Sequence, residues 1–256
     1  MKKTKTILNS FGEKLFVETY TPEQYDSCIV FCHGITGCRK GRTMADDYFQ
    51  KLAEKLMNLN KKVVLFDFSG HGESDGHDYD VTLSKSTAEL EMVFNSEVGE
   101  GLNVSFLAFS YGATVLCNFL GKHTDIIPQH IMLYSPCLFP NESCFLNVDS
   151  IFGKDIVTSW ISGDMQNQGY ALVGVKGFKF GINMLNECNG FMPHRFEELK
   201  DCIMVLSGED DIILNTKYNK IFCEKNSINN VYLHASHSLF EMIDDAFCLS
   251  IEFLTK

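Results

Sequence analysis

Short apolar runs alternate with stretches of helical periodicity over most of the chain. That alternation predicts βαβ units and a mostly parallel sheet. Residues 15–20 read as an early strand. Residues 28–33, Cys-Ile-Val-Phe-Cys-His, are continuously apolar, as expected of a strand buried on both faces. Helical periodicity follows over 43–59. A second buried strand, 63–68, runs into the loop Ser69-Gly-His-Gly-Glu-Ser-Asp-Gly76. The pattern then predicts a helix over 82–98, a strand over 104–109, a helix over 111–122, and a strand over 130–134 stopped by Ser135-Pro136.

Between 137 and 196 the alternation is lost. Glycines recur (Gly153, Gly163, Gly169, Gly174, Gly177, Gly181, Gly190) and the only Trp lies here. This stretch reads as an insertion covering one face of the sheet. Alternation resumes with a strand at 202–207, a helix near 216–224, a strand at 231–234 and a last helix from 239 to about 254. No internal repeat or low-complexity linker divides the chain. Its 256 residues therefore suit one large α/β domain.

Charge narrows the partners. The formal net charge of −11 argues against nucleic acid or an anionic membrane, both of which reward clustered Lys and Arg. The N-terminal lysines are not followed by an apolar stretch of signal-peptide length, and no run reaches membrane-spanning length. A cytoplasmic protein is expected. Ten cysteines are scattered without a C-x-x-C pair. Several, among them Cys28, Cys32, Cys117, Cys202 and Cys248, sit in apolar runs and are expected as buried, reduced thiols.

The candidate chemistry centres on Ser110. In Val104-Ser-Phe-Leu-Ala-Phe-Ser-Tyr-Gly112 an apolar strand meets a serine between small residues and then a helix. A sharp strand-to-helix turn pushes such a serine into solvent in front of a helix N-terminus. The pattern is that of a G-x-S-x-G nucleophile elbow, with Ala108 in place of its first glycine. A serine hydroxyl needs a base, and the base a carboxylate to hold it in the right tautomer. The loop Gly208-Glu-Asp-Asp211 follows one late strand, and Ala235-Ser-His-Ser238 follows the last. Asp211 is preferred to Asp210, since it precedes an apolar pair. His237 is preferred to His234, which belongs to the strand itself. The backbone N–H groups of Ile35 and Tyr111 are the expected oxyanion hole, with Gly34 letting the early loop approach closely. His33 is expected to have a structural hydrogen-bonding role. The glycine-rich loop 70–76 lacks the lysine and spacing of a phosphate loop. His71, His77, Asp75, Asp78 and Asp80 lack specific ligand spacing and read as a solvated loop in preference to a metal site.

Taken in order, His33-Gly-Ile-Thr-Gly37, Asp67-Phe-Ser-Gly-His-Gly-Glu-Ser-Asp-Gly76, Ala108-Phe-Ser-Tyr-Gly112, Gly208-Glu-Asp-Asp211 and His237 resemble the α/β-hydrolase superfamily over nearly the whole chain. The loop after Phe66 and the short glycine-rich insertion are similar to bacterial feruloyl/cinnamoyl esterases and their serine-aminopeptidase-like relatives. The resemblance implies a mostly parallel sheet flanked by helices, with the insertion as a small cap shaping the acyl pocket. It also implies ester hydrolysis through an acyl-enzyme on Ser110, His237 and Asp211, without metal or organic cofactor. A thioester, an amide or acyl transfer would use the same machinery, and a hydrolase fold that only binds is an alternative of another class. The small-molecule acyl group and the oligomeric state are left open. The sequence departs from the usual motif at Phe109 and Tyr111. Both are expected beside the nucleophile, restricting what fits there.

Overall fold

The computed structural model describes residues 1–175 and 177–256. The chain opens with strands β1 (Lys2–Leu8), β2 (Lys14–Tyr20) and β3 (Ser27–Cys32). Helix α1 (Tyr48–Met57), β4 (Lys62–Phe66), α2 (Leu83–Glu97), β5 (Asn103–Phe109), α3 (Tyr111–Lys122) and β6 (His130–Tyr134) follow. The next stretch carries α4 (Ile151–Ser162), α5 (Asp164–Gln168), the strands β7 (Tyr170–Val173) and β8 (Phe178–Gly181), and α6 (Ile182–Glu187). Strand β9 (Ile203–Gly208), α7 (Lys217–Asn226), β10 (Asn229–Leu233) and α8 (Ile243–Leu254) close the chain.

Eight strands form one sheet in the order β1-β2-β4-β3-β5-β6-β9-β10. From β4 to β10 neighbouring strands run parallel, while β2 is antiparallel to both β4 and β1. After β3 the chain winds outward to β4, then returns to place β5 on the other side of β3. The loops leaving β3 and β5 therefore diverge at the carboxyl edge, a topological switch point where open α/β sheets form their crevices.

Period-two alternation divides the core. Cys28, Val30 and Cys32 of β3, with Phe106 and Ala108 of β5, join the cluster under α2 and α3. Ile29 and Phe31, with Leu107 and Phe109, join the cluster under α1 and α8. The stretch between β6 and β9 adds Phe145, Ile156, Met165 and Phe180 to the α2/α3 side. Its antiparallel β7–β8 pair leans on residues 78–80, where Lys179 N–H donates to Asp78 Oδ2 at 2.8 Å. No helix among the described residues is long and apolar enough to cross a membrane.

Several expectations are corrected. Strand β1 is absent from the sequence reading. It lies on the sheet edge almost wholly exposed, and Lys2, Lys3 and Lys5 give it no apolar alternation. Lysines on such an edge discourage pairing with other chains. Helix α1 starts at Tyr48, not at 43, because Asp46 Oδ2 takes the Thr43 N–H at 2.7 Å and closes a turn there. The last helix begins at Ile243. Leu239 adopts φ 57°, which a helix does not tolerate. Cys248 is exposed on α8 and Cys202 is half-buried, whereas the other eight cysteines are buried.

Candidate active site

Strand β5 delivers Ser110 to the carboxyl edge, where it sits at φ 51° and ψ −118°. That region is costly for a residue with a Cβ. Three backbone bonds hold it: Ser110 N–H to Tyr134 O (2.9 Å), and Ala113 N–H and Cys137 N–H to Ser110 O (3.0 Å each). The packing also explains the substituted glycine. Ala108 is paired between Cys32 and Leu133 inside the sheet, and its methyl is accepted into the core. Gly112 is different, since a Cβ there would overlap the Cys32 and His33 carbonyls. At Gly34 a Cβ would stand 3.0 Å from the Ser110 Cβ, so the early loop passes directly against the nucleophile position.

The late loops meet Ser110. His237 Nε2 is 2.9 Å from Ser110 Oγ, and His237 Nδ1 is 2.7 Å from Asp211 Oδ2. The Asp211 side chain is fully buried. Its Oδ1 accepts the N–H groups of Ile213 (2.8 Å) and Leu214 (2.9 Å), which aims Oδ2 at the imidazole. With Nδ1–H donated to the carboxylate, Nε2 is left to accept the serine proton. The neighbouring alternatives lie elsewhere. Asp210 is exposed, and His234 is 87% exposed and paired with Glu209.

Ile35 lies beside this group. Neither Ile35 N–H nor Tyr111 N–H has an acceptor among the described residues, the latter being the first N–H of α3. His33 controls the first of these. Its Nε2 accepts Phe68 N–H at 3.0 Å, so Nδ1–H donates to Gly34 O at 2.8 Å. Gly34 C=O and Ile35 N–H belong to one trans peptide and point in opposite directions. Fixing the carbonyl therefore fixes where the N–H points.

The Tyr111 side chain does not stand beside the nucleophile as expected. It is 1% exposed and turned into the core, with its hydroxyl donating to Ser86 Oγ at 3.2 Å. Phe109 does face the site. It lines a cavity of about 440 Å³ together with Ile35, Ser110, Phe152 of α4, Ile212, Ile213 and His237. Arg42 and Thr43 complete one side. Sequence reasoning missed Phe152 and Arg42. Neither carries a motif, and both come from segments without regular alternation.

Of the residues expected in a solvated loop, Asp75, His77 and Asp80 are exposed, whereas His71 is buried and Asp78 half-buried, and the neighbouring Asp67 anchors the loop from below. Asp67 is fully buried and bonds Arg39 through both its N–H (2.7 Å) and its guanidinium (2.5 Å). Glu18 and Glu73 also pair with Arg39, whose guanidinium lies 4.0 Å over the Phe16 ring. His71 is buried too, its ring centroid 5.0 Å from His33 and 5.4 Å from Phe178 of β8. Asp75 and Asp78 accept backbone N–H groups from Lys14 and Lys179.

Burial pushes His33 down to about 4 and His71 down to about 3. An unfolded histidine takes its proton near pH ~6.5. Stability from these two neutral rings is therefore complete above that pH and is lost as pH falls from ~6.5 toward 4. Each contributes a slope of about 1.4 kcal/mol per pH unit. Urea unfolding at pH 6 and pH 5 should show His71→Leu losing about one proton's worth of the wild-type slope. An unchanged slope would exclude this account of His71.

The strand order, the turn at Ser110 and the loop positions define an α/β hydrolase. The serine aminopeptidase, S33, family model matches residues 23–168, more than half of the chain, and the chain belongs to that family. Among solved structures, a protein of Agrobacterium vitis S4 assigned as a hydrolase superposes with a TM-score of 0.79 at 14% identity, covering 99% of each chain. Est1E from Butyrivibrio proteoclasticus, solved with ferulic acid bound, gives 0.71 at 17% identity over 98% of this chain and 100% of that one. An esterase from Pyrococcus furiosus gives 0.69 at 18% identity over 99% and 90%. No curated protein matches the chain in sequence.

Proposed function

We propose that this hydrolase cleaves a carboxylic ester through an acyl-enzyme on Ser110. The observation that carries the reading is the unbroken hydrogen-bonded line from Asp211 through His237 to Ser110, ending at a cavity with the Ile35 and Tyr111 N–H groups beside it. His237 Nε2 takes the Ser110 proton as Oγ bonds to the acyl carbon, and the carbonyl oxygen becomes an oxyanion held by the two N–H groups. The C–O bond to the alcohol then breaks, and the imidazolium returns its proton to the departing oxygen. A water activated by the same imidazole attacks the acyl-serine and releases the acid. Asp211 fixes the tautomer and offsets the transient positive charge. No metal or organic cofactor enters these steps.

The lining favours an ester over a peptide with a free amino end. Among the described lining residues there is no carboxylate to receive an ammonium group, and Phe109, Phe152, Ile212 and Ile213 make most of the wall apolar. The volume suits a small acyl ester. We read residues 137–196 as a cap, with α4 contributing Phe152 to the acyl side. The ester-cleaving and ferulate-binding neighbours agree with this class of substrate.

The test is covalent labelling. A fluorophosphonate should add to the intact chain once, and peptide mass spectrometry should find the adduct on Ser110. A chain left unlabelled after prolonged exposure, or labelled at another residue, overturns the reading.

A further inference from the structure

Two N–H groups set the Asp211 carboxylate, those of Ile213 and Leu214. Each belongs to a peptide whose oxygen faces the other way: Ile212 O for the first, Ile213 O for the second. Both oxygens are held by the residues that open α4. Ile151 N–H donates to Ile212 O at 3.2 Å, and the Ser150 hydroxyl donates to Ile213 O at 2.5 Å. In a planar trans peptide, holding the oxygen from behind aims the N–H forward, here at Asp211 Oδ1. The following peptide is fixed as well, since Asn215 N–H donates to Ser143 O at 2.7 Å. Of these three holds, only that of Ser150 comes from a side chain. Ser150 is buried, so little water competes for its hydroxyl. Its Oγ also accepts Gly153 N–H at 3.3 Å and caps α4. That first turn is tightly seated, because a Cβ on Gly153 would overlap the Cys144 and Asn147 carbonyl oxygens. The hydroxyl therefore reaches the loop from a fixed point.

We propose that Ser150 is a positioning residue for the catalytic carboxylate. By holding the Ile213 carbonyl it keeps Leu214 N–H on Asp211 Oδ1, and so keeps Oδ2 on His237. The proposal rests on the reading of Ser110, His237 and Asp211 given above. Ser150 acts through the loop and does not touch the reacting atoms. The segment that supplies Phe152 to the cavity wall thereby also supports the base.

Ser150→Ala should lower kcat on a 4-nitrophenyl ester about tenfold and leave KM within about twofold, since the apolar wall is retained. Ser150→Thr keeps the hydroxyl and should recover most of the loss. Ser150→Gly removes the hydroxyl while serving nearly as well at a helix start, so it should match alanine and replaces it if that variant does not fold. Thr82→Ala is the control for capping alone. It removes the equivalent cap of α2, which accepts Lys85 N–H at 3.2 Å, and should leave kcat unchanged. A double-mutant cycle with Asp211→Asn decides the matter. Once residue 211 no longer orients the base, Ser150→Ala should change kcat by less than about twofold. A second tenfold loss in that background, or wild-type kcat in Ser150→Ala or Ser150→Gly, overturns the proposal. If a fluorophosphonate labels Ser110 and Asp211→Asn is crippled while the Ser150 variants keep full kcat, the inference alone fails. If Ser110 is never labelled, or Asp211→Asn turns over normally, the reading beneath fails with it.

Discussion

Ser110→Ala is expected to lower kcat for ester hydrolysis by about 10⁵- to 10⁶-fold and to abolish fluorophosphonate labelling. The expectation rests on what the hydroxyl alone does in the proposed mechanism. Without Oγ no acyl-enzyme forms, so His237 has no serine proton to take. What remains is activation of water in a cavity where the Ile35 and Tyr111 N–H groups still hold an oxyanion. Such residual catalysis is worth about 10³-fold over water. Binding should change little, because the wall available to the acyl and alcohol groups of the proposed substrate is formed by Phe109, Phe152, Ile212 and Ile213. Stability should also hold. Alanine meets the same φ of 51°, and the three backbone bonds at residue 110 are made by main-chain atoms. Initial rates on a 4-nitrophenyl ester, with circular dichroism of both proteins, check the prediction. Turnover within tenfold of wild type would remove Ser110 from the chemistry.

The parts legible in the sequence are those where one strand and one loop decide the outcome. Buried parallel strands read as unbroken apolar runs, so β3, β4, β5, β6 and β9 stood out, and Ser110, Asp211 and His237 could be placed by the strand each follows. Elements that depend on distant partners were hidden. Strand β1 has polar side chains on both faces and exists because β2 offers it an open edge. The direction of Tyr111 depends on α3 packing against α2, where Ser86 waits for its hydroxyl. Arg39 and Asp67 are 28 residues apart, and neither marks the other in the sequence. His71 looks like loop decoration until β8 brings Phe178 over it. The same holds for the cavity wall: Phe152 and Arg42 become lining residues only once α4 and the loop after β3 are folded over the switch point.

Asp211→Asn should lower kcat by about 10⁴-fold while leaving KM and folding close to wild type. The substitution keeps the volume of the side chain and separates charge and tautomer from packing. Its amide orientation is settled by the loop. Asp211 Oδ1 accepts two backbone N–H groups, from Ile213 and Leu214, so an asparagine must place its oxygen there and turn its NH₂ toward His237. That NH₂ donates to Nδ1, which forces the imidazole proton onto Nε2. Nε2–H then points at Ser110 Oγ as a donor and can no longer take the serine proton. The rate of fluorophosphonate labelling should fall by a similar factor, because it needs the same base. Alanine would be a poorer probe, since it strands the two N–H groups in a buried loop and confounds catalysis with stability. Asp210→Asn is the matched control: that side chain is exposed and makes no contact with His237, so its kcat should stay within about twofold of wild type. If the two variants exchanged these outcomes, the carboxylate orienting His237 would be Asp210, and the loop after β9 would have to rearrange when substrate binds.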